Sequence, residues 1–406
     1  MKNVLVITYH FYPSAAVGAK RLARFCKYLP QFGFEPIVLT VHEKYYESTD
    51  EHLKASHGTV YRTDSLRMDR PKSNRWFKQI WYYGVRVLER ALFPDKYIVW
   101  LPYALATAKL IFKKHRIDLI YASGPWFSTF LVAQVLKKIY RVPMVIEYRD
   151  QWALNVVYRT SARAKLHRYF DGRVLAISDG VIFSSQGLLD EYRSNYPEVD
   201  FSRALVIPNG FDPDELAGVR KSKTNGFVLT YAGNFYWPRT PDNFLQALLE
   251  WTSEENIGCG NFKFLSIGNL NRQMVKHDFN GFVELKGTLP HHQVLNHLAS
   301  SDWLLLIVAP GHESNIPAKI YEYLALGRPI LALCPERASV REIIDETSCG
   351  VVANINDVSD IKCRLGEIYA TRGRSLPAVQ QKINRYCSRT IAGQLGEYLT
   401  SIQNRQ

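Results

Sequence analysis

Residues 302–334, "DWLLLIVAPGHESNIPAKIYEYLALGRPILALC", hold a strand, a loop, a short helix and a second strand in one stretch. The apolar run after Asp302 does not alternate with polar residues, which fits a strand buried on both faces. Pro310 and Gly311 break it. A helical pattern then begins near Pro317, where proline is at home in a first turn. Gly327 ends that pattern just before "RPILALC". Lys319 and Glu322 are three residues apart, so they share one face of the helix.

The same alternation extends in both directions. Upstream in the same half lie "GFVLTYAGN", "PDNFLQALLEW", "FKFLSIGN" and "HHQVLNHLASS", which read as strand, helix, strand and helix. In the first half "KNVLVITY", "EPIVLT", "IDLIYAS", "VPMVIEYRD" and "DGVIFSS" read as strands. Helical segments such as "KRLARFCKYLPQFG" and "FLVAQVLKKIY" separate them. This pattern predicts α/β architecture with doubly wound parallel sheets. Two Rossmann-like halves meet near "PNGFDPDEL", so the expected domains are 1–212 and 213–380, facing a central cleft. Residues 381–406 are read as a polar helix crossing back to the first domain. Ligands are expected beyond the C-terminal ends of the strands.

At 406 residues the chain can bury two or three cores. Its six cysteines include no CxxC pair and no zinc-spaced histidines, which fits reduced thiols in a cytosolic compartment. "MKNVLVITYH" enters a strand at once and lacks the layout of a signal peptide. "IVWLPYALATA", residues 98–108, is far too short to span a bilayer. The net charge of +13 is uneven, since 13 basic and 4 acidic residues fall between Arg62 and Arg116. Within that stretch Arg75, Trp76, Lys78, Trp81 and Arg86 mix cations with aromatic rings. Such a mixture suits the anionic surface of a membrane, and it also suits a helix packed on the first domain. No pattern of an RNA- or DNA-binding module is present, so nucleic acid is not an expected partner.

Several residues carry candidate chemistry. The start of the "IPAK" helix offers free N–H groups, and Lys319 adds a full charge suited to a diphosphate. Glu322, one turn on, could accept hydrogen bonds from the two hydroxyls of a ribose. The same spacing also describes an ordinary solvated Lys–Glu pair. In "YAGNFYWPRTPDN", Gly233 and Asn234 end a strand and Arg239 could complete the clamp. In "YPSAAVGAKR", Gly18 permits close backbone approach and Arg21 opens the following helix; this is not a GxGxxG match. In "EYRDQW", Arg149, Asp150 and Trp152 fall at a strand end. There Asp150 could orient an acceptor hydroxyl and Trp152 could stack on a sugar. Trp126, in "GPWFS", is placed on the same acceptor side. "DPD", residues 212–214, sits at the proposed hinge, and no metal is expected.

The segments "VLVITYHFYPSAAVGAKR", "EYRDQW", "VIPNGFDP", "TYAGN", "ELKGTLPHHQVLNHLASSDWLLL" and "IPAKIYEYLALGRPILAL" appear in the order of the family 4 glycosyltransferases, which this chain resembles. The resemblance implies the GT-B fold and transfer of a sugar from a nucleotide diphosphate, with retention at the anomeric carbon. It aligns Glu322 with the second Glu of a Glu-x7-Glu element and implies ribose binding there. Ser314 stands where the first Glu is usual. Ser314, Ile316 and Pro317 then belong to the donor loop, and Thr288 would lie near the nucleobase. Asn234 stands in place of the usual phosphate-binding Arg, and Phe127 in place of a histidine. Arg239 and Lys319 would supply the missing charge, with Asp150 the third catalytic candidate.

The expected donor is a UDP-sugar, with no cofactor and no metal. The expected acceptor is a lipid-linked or oligosaccharide hydroxyl in surface polysaccharide synthesis. Such an enzyme would be cytoplasmic, at the inner face of the plasma membrane. The alternative is a non-catalytic GT-B protein serving as a glycan-binding or scaffold partner, motivated by Asn234, Ser314 and Phe127.

Overall fold

The computed structural model describes residues 1–49, 58–66, 92–236, 239–269, 281–371 and 379–405. Arg75, Trp76, Lys78, Trp81 and Arg86 lie outside the described residues. The chain forms two compact units, one of residues 1–208 with 388–406 and one of residues 209–387.

The first unit is built on seven described strands: β1 (Lys2–Ile7), β2 (Phe34–Val41), β3 (Thr59–Thr63), β4 (Leu119–Gly124), β5 (Met144–Tyr148), β6 (Gly180–Phe183) and β7 (Ala204–Val206). All pairings are parallel, in the order β3-β2-β1-β4-β5-β6-β7. The strand order reverses between β1 and β4, and their C-terminal loops therefore diverge. That divergence opens a crevice where ligands of such sheets bind. β4 and β5 are buried along their whole length, which explains their unbroken apolar reading. The helix Val17–Tyr28 follows β1 and turns Leu22, Phe25 and Cys26 onto the sheet. It tightens into a 3-10 turn over Leu29–Phe32 and stops at Gly33, whose φ of 86° is a left-handed conformation that a side chain would strain.

The second unit carries β8 (Phe227–Ala232), β9 (Phe262–Ile267), β10 (Val283–Gly287), β11 (Trp303–Ile307), β12 (Ile330–Cys334) and β13 (Gly350–Asn354). They pair in parallel in the order β10-β9-β8-β11-β12-β13, so the switch point lies between β8 and β11. β11 and β12 are joined through the helix Lys319–Ala325, which is two residues shorter at its start than its proline suggests. Tyr323 on that helix is buried. Its hydroxyl lies 3.5 Å from the Ala232 N–H and 3.4 Å from the Leu305 carbonyl, tying the helix to both switch-point strands.

The boundaries differ from the sequence-based ones for a packing reason. Phe211, Ile383 and Tyr386 belong to the core of the second unit, and Phe211 N–H donates to the Tyr386 carbonyl. The boundary therefore falls after Pro208, and residues 381–387 stay with the second unit. Only the helix Ser388–Gln403 returns to the first. It is not polar throughout: Ile391, Leu395, Leu399 and Ile402 are buried beside Leu22, Phe25 and Leu29. Among the described residues no helix is long and apolar enough to cross a membrane.

Candidate functional site

In the second unit the strand ends at the β8/β11 switch point collect the polar residues singled out in the sequence. Gly233 follows β8 with a φ of 152°. A Cβ there would stand 2.4 Å from Lys319 Nζ, so the missing side chain is the space the ammonium occupies. Lys319 Nζ donates to the Ala232 carbonyl at 2.7 Å and lies 4.3 Å from the centre of the Tyr231 ring. Burial, followed by the charge of Arg239, pushes this lysine down to about 7, with Glu322 pulling the other way. Arg239 packs its guanidinium 5.1 Å from the Tyr236 ring centre. Its Nε is buried and has no hydrogen-bond partner. Two cations thus converge on one strand end, and one of them keeps an unanswered donor. A buried donor left in that state is costly unless a ligand meets it.

Glu322 is half-buried on the same helix, and its Oε1 lies 3.2 Å from His291 Nε2. His291 opens the helix His291–Ser300 and was not picked out in the sequence. Only a contact across 31 positions reveals it. Asn234 does not stand in for a cation: its Oδ1 accepts from the Asn269 N–H at 2.9 Å and pins the β9 loop. Thr288 follows β10 and reaches the same Asn269 side chain at 3.4 Å. Ser314, Ile316 and Pro317 are half-buried in the loop before the helix. Glu313 turns back, accepting from the Gly311 N–H at 2.9 Å. Asp212, in "DPD", caps its own turn through the Asp214 N–H.

In the first unit the structure redistributes roles. Arg21 is buried and paired with Glu147 at 2.6 Å, and it also donates to the carbonyls of Ile207 and Pro208. This is a correction to its assignment as a donor-binding residue, because its guanidinium is committed to the interior. Burial alone would raise the Glu147 carboxyl. Arg21, Arg149 and the Ser123 hydroxyl outweigh it and hold the group below the usual carboxylate range. Trp152 is a second correction. It is fully buried, stacked on Phe127 at 5.2 Å, and its indole N–H donates to His167 at 3.0 Å. No face remains for a sugar.

Gly18 admits the Arg149 guanidinium, since a Cβ there would lie 1.5 Å from its Nη1. Arg149 donates to the Gly124 and Pro125 carbonyls at 2.8 and 2.9 Å, bracing the β4 loop. Asp150 follows it, half-buried. Trp126 is half-buried and packs 4.5 Å from Tyr97.

His10, in the β1 loop, was not singled out in the sequence. The Ser14 hydroxyl accepts from the Ala16 N–H and is hydrogen-bonded to His10 Nδ1 at 3.2 Å. Burial lowers this imidazole to about 4, with Arg149 and Lys96 also opposing its charge and Glu47 favouring it. His10 is therefore neutral at physiological pH.

Among curated proteins none matches this sequence. Solved structures share its fold over their full lengths at low identity. Sucrose-phosphate synthase from Thermosynechococcus elongatus aligns at a TM-score of 0.71 and 16% identity, covering 100% of both chains. A glycosyltransferase from Rickettsia africae aligns at 0.64 and 14%, covering 100% of this chain and 99% of that one. Anabaena HepE, solved in complex with UDP, aligns at 0.59 and 14%, covering 99% and 100%. The fold is GT-B. Residues 18–215 match the family described as Glycosyltransferase Family 4.

Proposed function

We propose that the second unit binds a UDP-sugar and that the protein transfers the sugar, with retention, to a hydroxyl of a lipid-linked or saccharide acceptor in surface polysaccharide synthesis. The observation that carries this reading is the pair of cations at the end of β8. Lys319 and Arg239 converge beside Gly233, and the buried Arg239 Nε has no partner. A diphosphate supplies the missing acceptors. Glu322, a helical turn beyond Lys319, suits the ribose hydroxyls. The choice of uridine is supported by HepE, which was solved with UDP, and by a similar E. coli structure solved with UDP-2-fluoro glucose.

As the sugar–phosphate bond breaks, negative charge grows on the leaving diphosphate. Preorganised cations in a water-poor site stabilise that charge more than they stabilise the ground state. In this reading the two side chains do the work without a metal ion. The departing phosphate itself takes the acceptor proton, and Asp150 orients the acceptor in the first unit. Incubation with UDP-glucose, UDP-galactose and UDP-N-acetylglucosamine, followed by release of UDP, tests the reading. Turnover lost in Lys319→Met supports it.

The departures at Asn234, Ser314 and Phe127 favour a second reading, a non-catalytic glycan-binding protein or scaffold. Phe127 is buried against Trp152, so the position that would hold a histidine is part of the core. Nucleotide binding without any turnover of a sugar nucleotide would select this alternative.

A further inference from the structure

The segment Val156–Arg173 of the first unit combines two features that rarely share an ordered surface. Val157, Tyr169, Val156 and Leu166 are 72, 59, 49 and 42% exposed. Around them stand Arg159, Arg163, Lys165, Arg168 and Arg173. The only acid in the segment, Asp171, is fully buried, where the hydroxyls of Tyr148, Tyr192 and Tyr196 donate to it. The segment's own exposed charges are thus all positive, and the Glu198 carboxylate stands at its edge beside Gly172.

The folding of the two helices explains why these apolar groups stay outside. The helix Val156–Arg159 turns Tyr158 inward, 4.6 Å from the His167 ring. Val156 and Val157 are left facing solvent. The helix Ala164–Ile177 buries His167, Asp171, Val174 and Leu175 on one face. Leu166 and Tyr169 are exposed, three residues apart on the same helix, and Arg173 reaches the Tyr169 hydroxyl at 3.3 Å. Arg168 lies against the Tyr196 ring and donates to the Asn195 carbonyl, so its charge is fixed in place. Several aliphatic side chains in water with a rim of cations mark an interaction surface.

We infer that this surface, Val156, Val157, Leu166 and Tyr169 within their rim of arginines and lysine, docks on an anionic lipid bilayer. Short aliphatic groups enter the acyl boundary, a tyrosine rests at headgroup depth, and cations meet the phosphates. A single-stranded nucleic acid would instead call for a row of aromatic platforms, and the exposed side chains here are mainly aliphatic. The surface stands independently of the transfer reaction.

The test is sedimentation of the full chain with vesicles of phosphatidylcholine alone or with 30% phosphatidylglycerol. The wild type is expected to bind the anionic vesicles and to be released by salt. Val157→Asp with Leu166→Asp should abolish binding. Arg159→Glu with Lys165→Glu should raise the lipid concentration for half-binding about tenfold or more. Both variants should keep the wild-type thermal midpoint and UDP response. Undiminished binding by either pair would overturn the inference. So would loss only on reversing Arg75, Lys78 and Arg86, or failure of the wild type to bind. Binding to a poly-dT oligonucleotide but not to vesicles, lost in the same variants, would reassign the surface to nucleic acid.

Discussion

Lys319 answers two opposed demands. The fold places its ammonium in a notch where one carbonyl and an aromatic face are its close neighbours, while the chemistry asks for a full positive charge. Its folded pKa lies below the usual lysine value, at about 7. The folded protein therefore favours the neutral amine, and this side chain's contribution to stability is present above about 10.4 and is lost as pH falls through 7. A bound diphosphate reverses that preference. UDP affinity is expected to fall as pH rises above 7, with proton uptake on binding in calorimetry across buffers of different ionisation enthalpy. Lys319→Met should weaken UDP about tenfold or more, flatten the pH dependence, and leave the ligand-free thermal midpoint equal or higher, because a buried charge has been removed. Glu322→Gln should weaken nucleotide binding without shifting that midpoint, as competition experiments with UDP would show. For His10, nitrogen NMR is expected to report a neutral ring from pH 5 to 8.

At this scale the sequence exposes charge and spacing but not contact. Lys319, Glu322 and Arg239 are legible because cations and a carboxylate next to strand ends are unusual. His291 and His10 are not, since their partners come from other elements or depend on burial. Trp152 misleads for the same reason: an aromatic at a strand end looks identical whether it faces solvent or Phe127.

Elements carry the next layer. The β8 loop works because Gly233 has no side chain. Gly233→Ala puts a methyl group where the ammonium stands, on a backbone conformation that alanine rarely adopts. It should lose the UDP response and lower stability by about 1–3 kcal/mol in denaturant titration. The loop after β5 is held differently. Asp171 accepts from three tyrosines and from the Ala153 N–H, and burial raises it to about 6. Its contribution to stability is full below the unfolded value near 3.8 and declines as pH rises through 6. Asp171→Asn is therefore expected to cost more at pH 5 than at pH 8 when denaturation midpoints are compared. Strand and helix order was readable because continuous apolar runs alternate with helical spacing. The start of the helix Lys319–Ala325 was less so, because Pro317 permits a helix without fixing its first turn.

On the scale of the whole molecule, the two doubly wound sheets follow from the repeated alternation, and both switch points hold the residues that the motifs single out. The boundary between the units was hidden because Phe211 and Tyr386 are far apart in sequence and meet only in the folded second unit. Truncation after Cys387 should expose the stripe covered by Ile391, Leu395, Leu399 and Ile402 and destabilise the first unit. Calorimetry is expected to show its transition lowered while UDP still stabilises the second. The most direct test of the nucleotide site is a thermal-shift titration of the full chain with UDP, GDP and ADP, repeated on Lys319→Met. At one hundred times its dissociation constant a ligand stabilises the native state by about 2.7 kcal/mol, a shift of a few degrees. Stabilisation by UDP that is lost in Lys319→Met is expected. Silence toward all three nucleotides at millimolar concentration, or an undiminished response in the variant, would contradict a diphosphate site at the end of β8.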